Sequence, residues 1–198
     1  MDQGPGAGVI AAAVRMRDLG LAAHTTGNVS ARVPGGMLIT PTRRYPEDLG
    51  AGDLVEVPLT GPVGGEPSLE WAMHAAIYLS RPDVHAVVHT HSPHATARSF
   101  DPAPLIVLTE ERVYLGLERI EVAALAESGT QELAAAAVAA LGNRDAALLA
   151  RHGVVGVGAD PREALEICAV VEQQATIDSV LNANTNGAPS GTPFAGTS

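Results

Sequence analysis

His89 and His91 close an apolar run, Val84-His85-Ala86-Val87-Val88-His89-Thr90-His91, with two imidazoles one residue apart. In an extended strand, side chains at i and i+2 leave the same face, so both rings are predicted to point at one place. Two imidazoles on a half-buried face without partners would be costly. Two fixed nitrogen ligands are half of a metal site, and catalytic zinc usually takes three protein ligands and keeps one position open. A third histidine stands far downstream in Leu148-Leu149-Ala150-Arg151-His152-Gly153, where a turn at glycine can present a side chain into a cleft. Alone, His152 is equally well a structural residue. Glu70 opens a helical stretch with His74 four residues on, on the same face. Its position also suits a carboxylate that merely favours the helix dipole, so the acid/base and capping readings both stand. Three histidines and one acid are what metal-assisted carbon-acid chemistry requires.

The remaining polar residues read more plainly. His94 completes a His-x-His-x-x-His pattern, but metallo-β-lactamase hydrolases need an Asp just before the last histidine, and Pro93 stands there. His94 is therefore read as a polar neighbour, and His85, expected on the same strand face as the pair, as structural. Glu110 and Glu111 read as solvated acids. Gly27 and Asn28, with Thr26 and Ser30, make a turn rich in donors that could hold an anion.

These residues need elements to position them. Helices are expected over Val9 to Leu19, Ser68 to Ser80, Thr130 to Leu141, and Asp160 to about Leu181. The last has a capping Asp, a Pro at the first position and an acid three residues on. Strands are expected over Val29 to Val33, Met37 to Thr40, Leu54 to Leu59, Val84 to Thr90, Leu105 to Leu108, Arg119 to Ala123, Ala146 to Ala150 and Val154 to Val157. The strands cluster in hairpins and do not alternate strictly with helices, which argues for a mostly antiparallel sheet covered by helices. With 198 residues the chain is expected to be one domain over 1–181. A tail over 182–198, rich in Asn, Thr, Gly, Pro and Ser, should be mobile because it has little to bury.

Composition removes several functions. A formal net charge of -10 argues against nucleic acid as partner. No segment reaches the ~18 apolar residues of a membrane span, and no secretory signal opens the chain, so a cytoplasmic address is expected. The single cysteine, Cys168, lies among Ile167, Ala169 and Val170 and reads as core. All twelve basic residues are arginine. Schiff-base catalysis and lysine-tethered pyridoxal phosphate are thereby impossible. If this protein breaks a bond beside a carbonyl, a metal must act as the electron sink.

Taken in order, the motifs resemble the class II aldolase/adducin family. Gly27-Asn28-Val29-Ser30-Ala31-Arg32, Leu38-Ile39-Thr40-Pro41-Thr42, Pro67-Ser68-Leu69-Glu70-Trp71 with His74, Arg81-Pro82-Asp83 through His91, and Leu148 to Gly153 each match a family segment, between about Val9 and Leu181. The resemblance implies an α/β fold of three layers, α/β/α, with a largely antiparallel central sheet. It implies a zinc site, or one for another divalent metal, at His89, His91 and His152, with Glu70 as acid/base. It further implies a homotetramer with active sites between subunits, and a small-molecule substrate bound near Gly27, Asn28, Thr42, Arg43 and Ser68. The expected activity is retro-aldol cleavage of a small ketose, phosphorylated or not, or of a sugar acid, through a zinc-stabilised enediolate. Decarboxylation or dehydration on the same site is the near alternative, and a non-catalytic adducin-like binding module the remote one. Two departures stand out: Arg43 where family aldolases carry Gly, and Leu69 where they carry Ser.

Overall fold

The structure, a computed structural model, describes residues 4–186. Helix α1 (Gly4–Asp18) leads into a hairpin of β1 (Asn28–Val33) and β2 (Gly36–Ile39), turned at Pro34-Gly35 as its sequence predicts. Strand β3 (Val55–Pro58) adds to β2. Helix α2 (Trp71–Ser80) precedes β4 (Ala86–Thr90), and the short α3 (Pro93–Arg98), β5 (Leu105–Ile106) and α4 (Glu111–Tyr114) follow. The chain continues through β6 (Arg119–Ala123), α5 (Gln131–Leu141), β7 (Ala146–Leu149), β8 (Gly153–Gly158) and α6 (Pro161–Asn186).

The eight strands form one sheet in the order β3-β2-β1-β4-β8-β7-β6-β5. Every neighbouring pair is antiparallel except β6 with β7. Helices cover both faces, so β7, β8 and the first half of β4 are apolar on both faces. Ala86, Val88, Leu148 and Val154 face α1 and α6, and Val87, Leu149, Val155 and Val157 face α2 and α5. This is the expected three-layer α/β/α arrangement.

Capping explains the helix starts. The Thr130 side chain accepts from the Leu133 amide at 3.2 Å, and Asp160 accepts from the Glu163 amide at 2.9 Å. The Glu163 carboxylate reaches back to the Ala159 amide. Two expectations change. Helix α6 runs to Asn186, so residues 182–186 of the expected tail are helical, while 187–198 lie outside the described residues. His85 precedes β4 and lines a groove between α1 and α6, away from the face that carries His89. The alternation that would align them holds only inside the strand. Cys168 is buried, with burial pushing its thiol up to about 12, as a core cysteine should behave.

Candidate active site

The site forms where the ends of β1, β4 and β8 meet the start of α2. His89 is the penultimate residue of β4 and wholly buried; His91 follows the strand end, where its amide donates to the Leu21 carbonyl at 3.0 Å. His152 sits in the β7–β8 turn, next to Arg151 in the left-handed region at φ 58°. Its neighbour Gly153 is required by packing: a Cβ there would collide with the Thr90 carbonyl of the adjacent strand. Gly27 holds φ 77°, and a Cβ on it would lie 2.9 Å from the Met16 Cε and 3.0 Å from the His89 carbonyl oxygen. The motif glycines thus let backbone approach the histidine cluster.

The three imidazoles converge. Their ring centroids lie 4.8 to 4.9 Å apart, each pair edge-on. His89 Nε2 is 2.9 Å from His91 Nε2. Glu70 Oε2 stands 3.1 Å from His89 Nε2, and Oε1 stands 3.3 Å from His152 Nε2. One ligating atom from each of Glu70, His89, His91 and His152 falls within a 4.8 Å sphere of mutual distances. Among the described residues no second such group occurs. The tautomer of His89 fits a metal ligand: its Nδ1–H donates to the Val154 carbonyl at 2.8 Å, which leaves the Nε2 lone pair facing the cluster.

Glu70 is 5% exposed and occupies the N-cap position of α2, yet its side chain makes no capping bond. The carboxylate points instead to the histidine cluster. Burial alone would raise its pKa, but His89, His152 and the Asn28 amide together hold it well below the usual carboxylate range. Reciprocally, burial lowers the proton affinity of His89, but the charge and hydrogen bond of Glu70, with the Val154 carbonyl, together raise it above the ordinary value. His91 is pulled down to about 3, first by burial and then by the charge of His89 and His152. A buried anionic carboxylate amid three converging imidazoles is a setting suited to a divalent cation.

Beside the cluster opens a cavity of about 230 Å³, lined in part by Gly27, Asn28, Thr42, Arg43, Ser68 and Leu69. All five residues expected to bind substrate thus face one space. A bridge between Pro41 and Pro67, flanked by bonds from Ser68 N to Thr40 O and Thr42 N to Glu66 O, ties the two loops together. Arg43 is exposed and holds φ 55°, a conformation that favours glycine. His94 lies outside, paired with Glu172 at 2.9 Å, and Glu110 and Glu111 do not line the cavity. Ser128 was not expected here: its hydroxyl donates to Glu70 Oε1 and meets His152 Nε2, both at 3.3 Å. In sequence it looks like another residue of the loop before α5, and no spacing marks it.

Residues 7–178 match the model of the class II aldolase and adducin N-terminal domain. The chain belongs to the class II aldolase/adducin family. Its relatives in this family include the 5-methylthioribulose-1-phosphate/5-deoxyribulose-1-phosphate aldolase of Rhodospirillum rubrum, 38% identical over 85% of this chain and 77% of the relative. The L-fuculose phosphate aldolase of Escherichia coli O6:H1 is also 38% identical, over 91% and 85%. Among solved class II aldolase structures, L-fuculose-1-phosphate aldolase of Thermus thermophilus superposes with a TM-score of 0.85 at 32% identity, covering 93% of this chain and 97% of that one. No helix among the described residues of this family member is long and apolar enough to cross a membrane.

His74 gives a stability test. It is wholly buried, and burial first, then the charge of His89, lowers its pKa from the ordinary 6.5 to about 3. A histidine kept neutral in the fold contributes stability that is complete above pH 6.5 and lost as pH falls toward 3. In urea unfolding between pH 7 and 4, the wild type is expected to lose up to ~1.4 kcal/mol per pH unit more than His74→Gln. Equal slopes would show that another group carries the acid sensitivity.

Proposed function

We propose that this class II aldolase-family chain is a zinc-dependent lyase that cleaves a carbon–carbon bond of a small phosphorylated ketose by retro-aldol chemistry. One observation carries the reading: a buried carboxylate among three converging imidazoles, its Oε2 held by Asn28 beside His89 and its Oε1 by Ser128 beside His152, at the wall of a polar cavity. A divalent ion held by His89, His91 and His152 would supply the Lewis acid and electron sink that a chain without lysine otherwise lacks. As the carbon–carbon bond breaks, the departing hydroxyl gives up its proton to become the aldehyde; Glu70, having taken up a proton, delivers it to the carbon beside the carbonyl, and removes it in the condensation direction. Ser128 steadies Glu70 Oε1 and His152 together. Thr42, Ser68 and the Gly27 turn offer donors to a phosphate, while Asn28 meets both substrate and Glu70.

The relatives support phosphorylated ketoses as the substrate class, since the curated ones named above are aldolases of L-fuculose phosphate and of 5-methylthioribulose 1-phosphate. The test is product analysis of the zinc-loaded protein with those two compounds and their dephosphorylated forms. Glycerone phosphate and an aldehyde are expected from the phosphorylated pair. Release of carbon dioxide from a keto acid, or water loss without cleavage, would replace this reading by decarboxylation or dehydration. We also propose a homotetramer; exposed Leu108, Val113 and Leu125 supply apolar surface for assembly. Light scattering is expected to give four chain masses, and a monomer would contradict it.

Arg43 and Leu69 set this site apart from the family pattern. An arginine held at positive φ bears strain that glycine would avoid, and its guanidinium can grip an oxyanion with two parallel hydrogen bonds. Leu69, 63% exposed, replaces a hydroxyl donor with apolar surface at the same cavity. The pocket should therefore prefer a displaced phosphate or a carboxylate. Restoring the pattern with Arg43→Gly and Leu69→Ser is expected to lower KM for L-fuculose 1-phosphate by about 10-fold, the value of one charge-assisted bond regained in the usual pose, and to worsen the native substrate. If neither changes, Arg43 serves the solvent side only.

A further inference from the structure

Strand β1 and helix α2 meet along a ladder of buried polar side chains. Asn28, Ser30 and Arg32 leave the same face of the strand, and Glu70, His74 and Tyr78 recur every fourth residue on the facing helix. Asn28, Ser30, His74 and Tyr78 are each 5% exposed or less. Their hydrogen bonds connect end to end: Asn28 Nδ2 to Glu70 Oε2 at 3.0 Å, Asn28 Oδ1 with His74 Nε2 at 2.6 Å, His74 Nδ1 with Ser30 Oγ at 2.7 Å, and Ser30 Oγ with Tyr78 Oη at 2.8 Å.

The direction of every bond follows from its neighbour. The amide nitrogen of Asn28 faces a carboxylate, so its oxygen faces the imidazole. That oxygen can only accept, so His74 carries its proton on Nε2. His74 Nδ1 then has a lone pair and accepts from the Ser30 hydroxyl. Ser30 has spent its one hydrogen, so its oxygen accepts from Tyr78. The far end is fixed in turn. The Arg32 guanidinium lies 4.7 Å from the Tyr78 ring centroid and donates to the carbonyls of Tyr78, Arg81 and Val84 at 2.8 to 3.0 Å.

We propose that His74, backed by Ser30 and Tyr78, is a positioning residue: it locks the Asn28 amide in one orientation and so holds Glu70 Oε2 beside His89, with Oε1 at Ser128 and His152. Asn28 is the anchor of Oε2 that is not itself a candidate metal ligand. Without a donor at position 74 the amide can rotate by half a turn and set its oxygen against the carboxylate, which would push Glu70 out of register. A ladder serving stability alone would work in either direction and could be replaced by apolar side chains of similar shape.

The proposal rests on the acid/base reading of Glu70, so its test has one arm with activity and one without. In the zinc-loaded protein, His74→Leu is expected to lower kcat on L-fuculose 1-phosphate by ~10-fold or more. Metal content should stay unchanged, because no candidate ligand is touched. His74→Gln, whose amide can still donate to Asn28, should recover most of the loss. In a Glu70→Gln background, His74→Leu should add nothing further, since it acts through Glu70. Equal damage by Leu and Gln, or additive losses, would overturn the proposal. If His74→Leu does not fold, Ser30→Ala and Tyr78→Phe carry the kinetics, and full activity in both would overturn it as well. Independently of turnover, the ring-nitrogen shifts of ¹⁵N-histidine-labelled holoprotein should show His74 as the neutral Nε2–H tautomer. An Nδ1–H or doubly protonated ring would sink the chain even in an active enzyme. If the wild type cleaves no ketose phosphate, the functional reading fails, and the tautomer measurement still decides the chain.

Discussion

Glu70→Gln is expected to lower turnover by ~10²-fold or more while leaving fold and metal stoichiometry intact. Glutamine keeps the length of the side chain and can still accept from Asn28 Nδ2, now through its amide oxygen. Its NH2 would then take the Oε1 place beside Ser128 and His152. What it cannot do is carry a proton to or from carbon. Because Glu70 makes no capping bond to α2, the helix loses no hydrogen bond at its start. Removing the carboxylate removes a desolvation cost but also the attractions to His89 and His152 that outweigh it, so the thermal midpoint should fall modestly with the fold intact. The measurement is kcat beside metal per chain and thermal unfolding. A fully active variant, or one that simply unfolds, would return Glu70 to a structural role.

The second large effect is on the histidines. His89→Ala is expected to reduce bound divalent metal from near one per chain to near none, and activity with it. A site of three imidazoles that loses one keeps too few ligands for a catalytic ion. His89 is the most constrained of the three, wholly buried and oriented by the Val154 carbonyl. Its truncation also leaves a cavity costing on the order of 1–3 kcal/mol, so His152→Ala, which is only half-buried, serves as the companion variant. His94→Ala, at the surface with Glu172, should retain its metal. Unchanged stoichiometry in either cluster variant would remove the assignment.

Much of this site was legible because strands translate spacing into direction. The His89/His91 pair read correctly as two rings aimed together, and His89 shares its sheet face with Val87 as period two requires. His152 had no such local signal, and only its order among the motifs tied it to the pair. Asn28 was read as an anion donor at a turn; the structure adds two partners, Glu70 and His74, that lie 42 and 46 residues away. Ser128 escaped notice for the same reason: its partners are distant in sequence and its own neighbourhood is an ordinary loop. Helices α3 and α4 are too short for periodicity to mark. The misplacement of His85 shows the limit of the spacing rule, which fails where the extended backbone ends.

The strand order carries a consequence for how the protein reaches its native state. The cluster is assembled from β4 flanked by β1 on one side and β8 on the other, so its partners come from the first, middle and last thirds of the chain. Pairings this distant are slow to form, because loop closure must be met before any contact repays it. His152 cannot join His89, His91 and Glu70 until β4 and β8 have paired. An ion that binds them will stabilise only the finished sheet, by an amount that grows with the logarithm of its concentration. Refolding followed with and without zinc should therefore show the same rate of collapse but a slower unfolding rate in the presence of metal, making the ion a latch applied after the sheet is built and not a nucleus around which it forms.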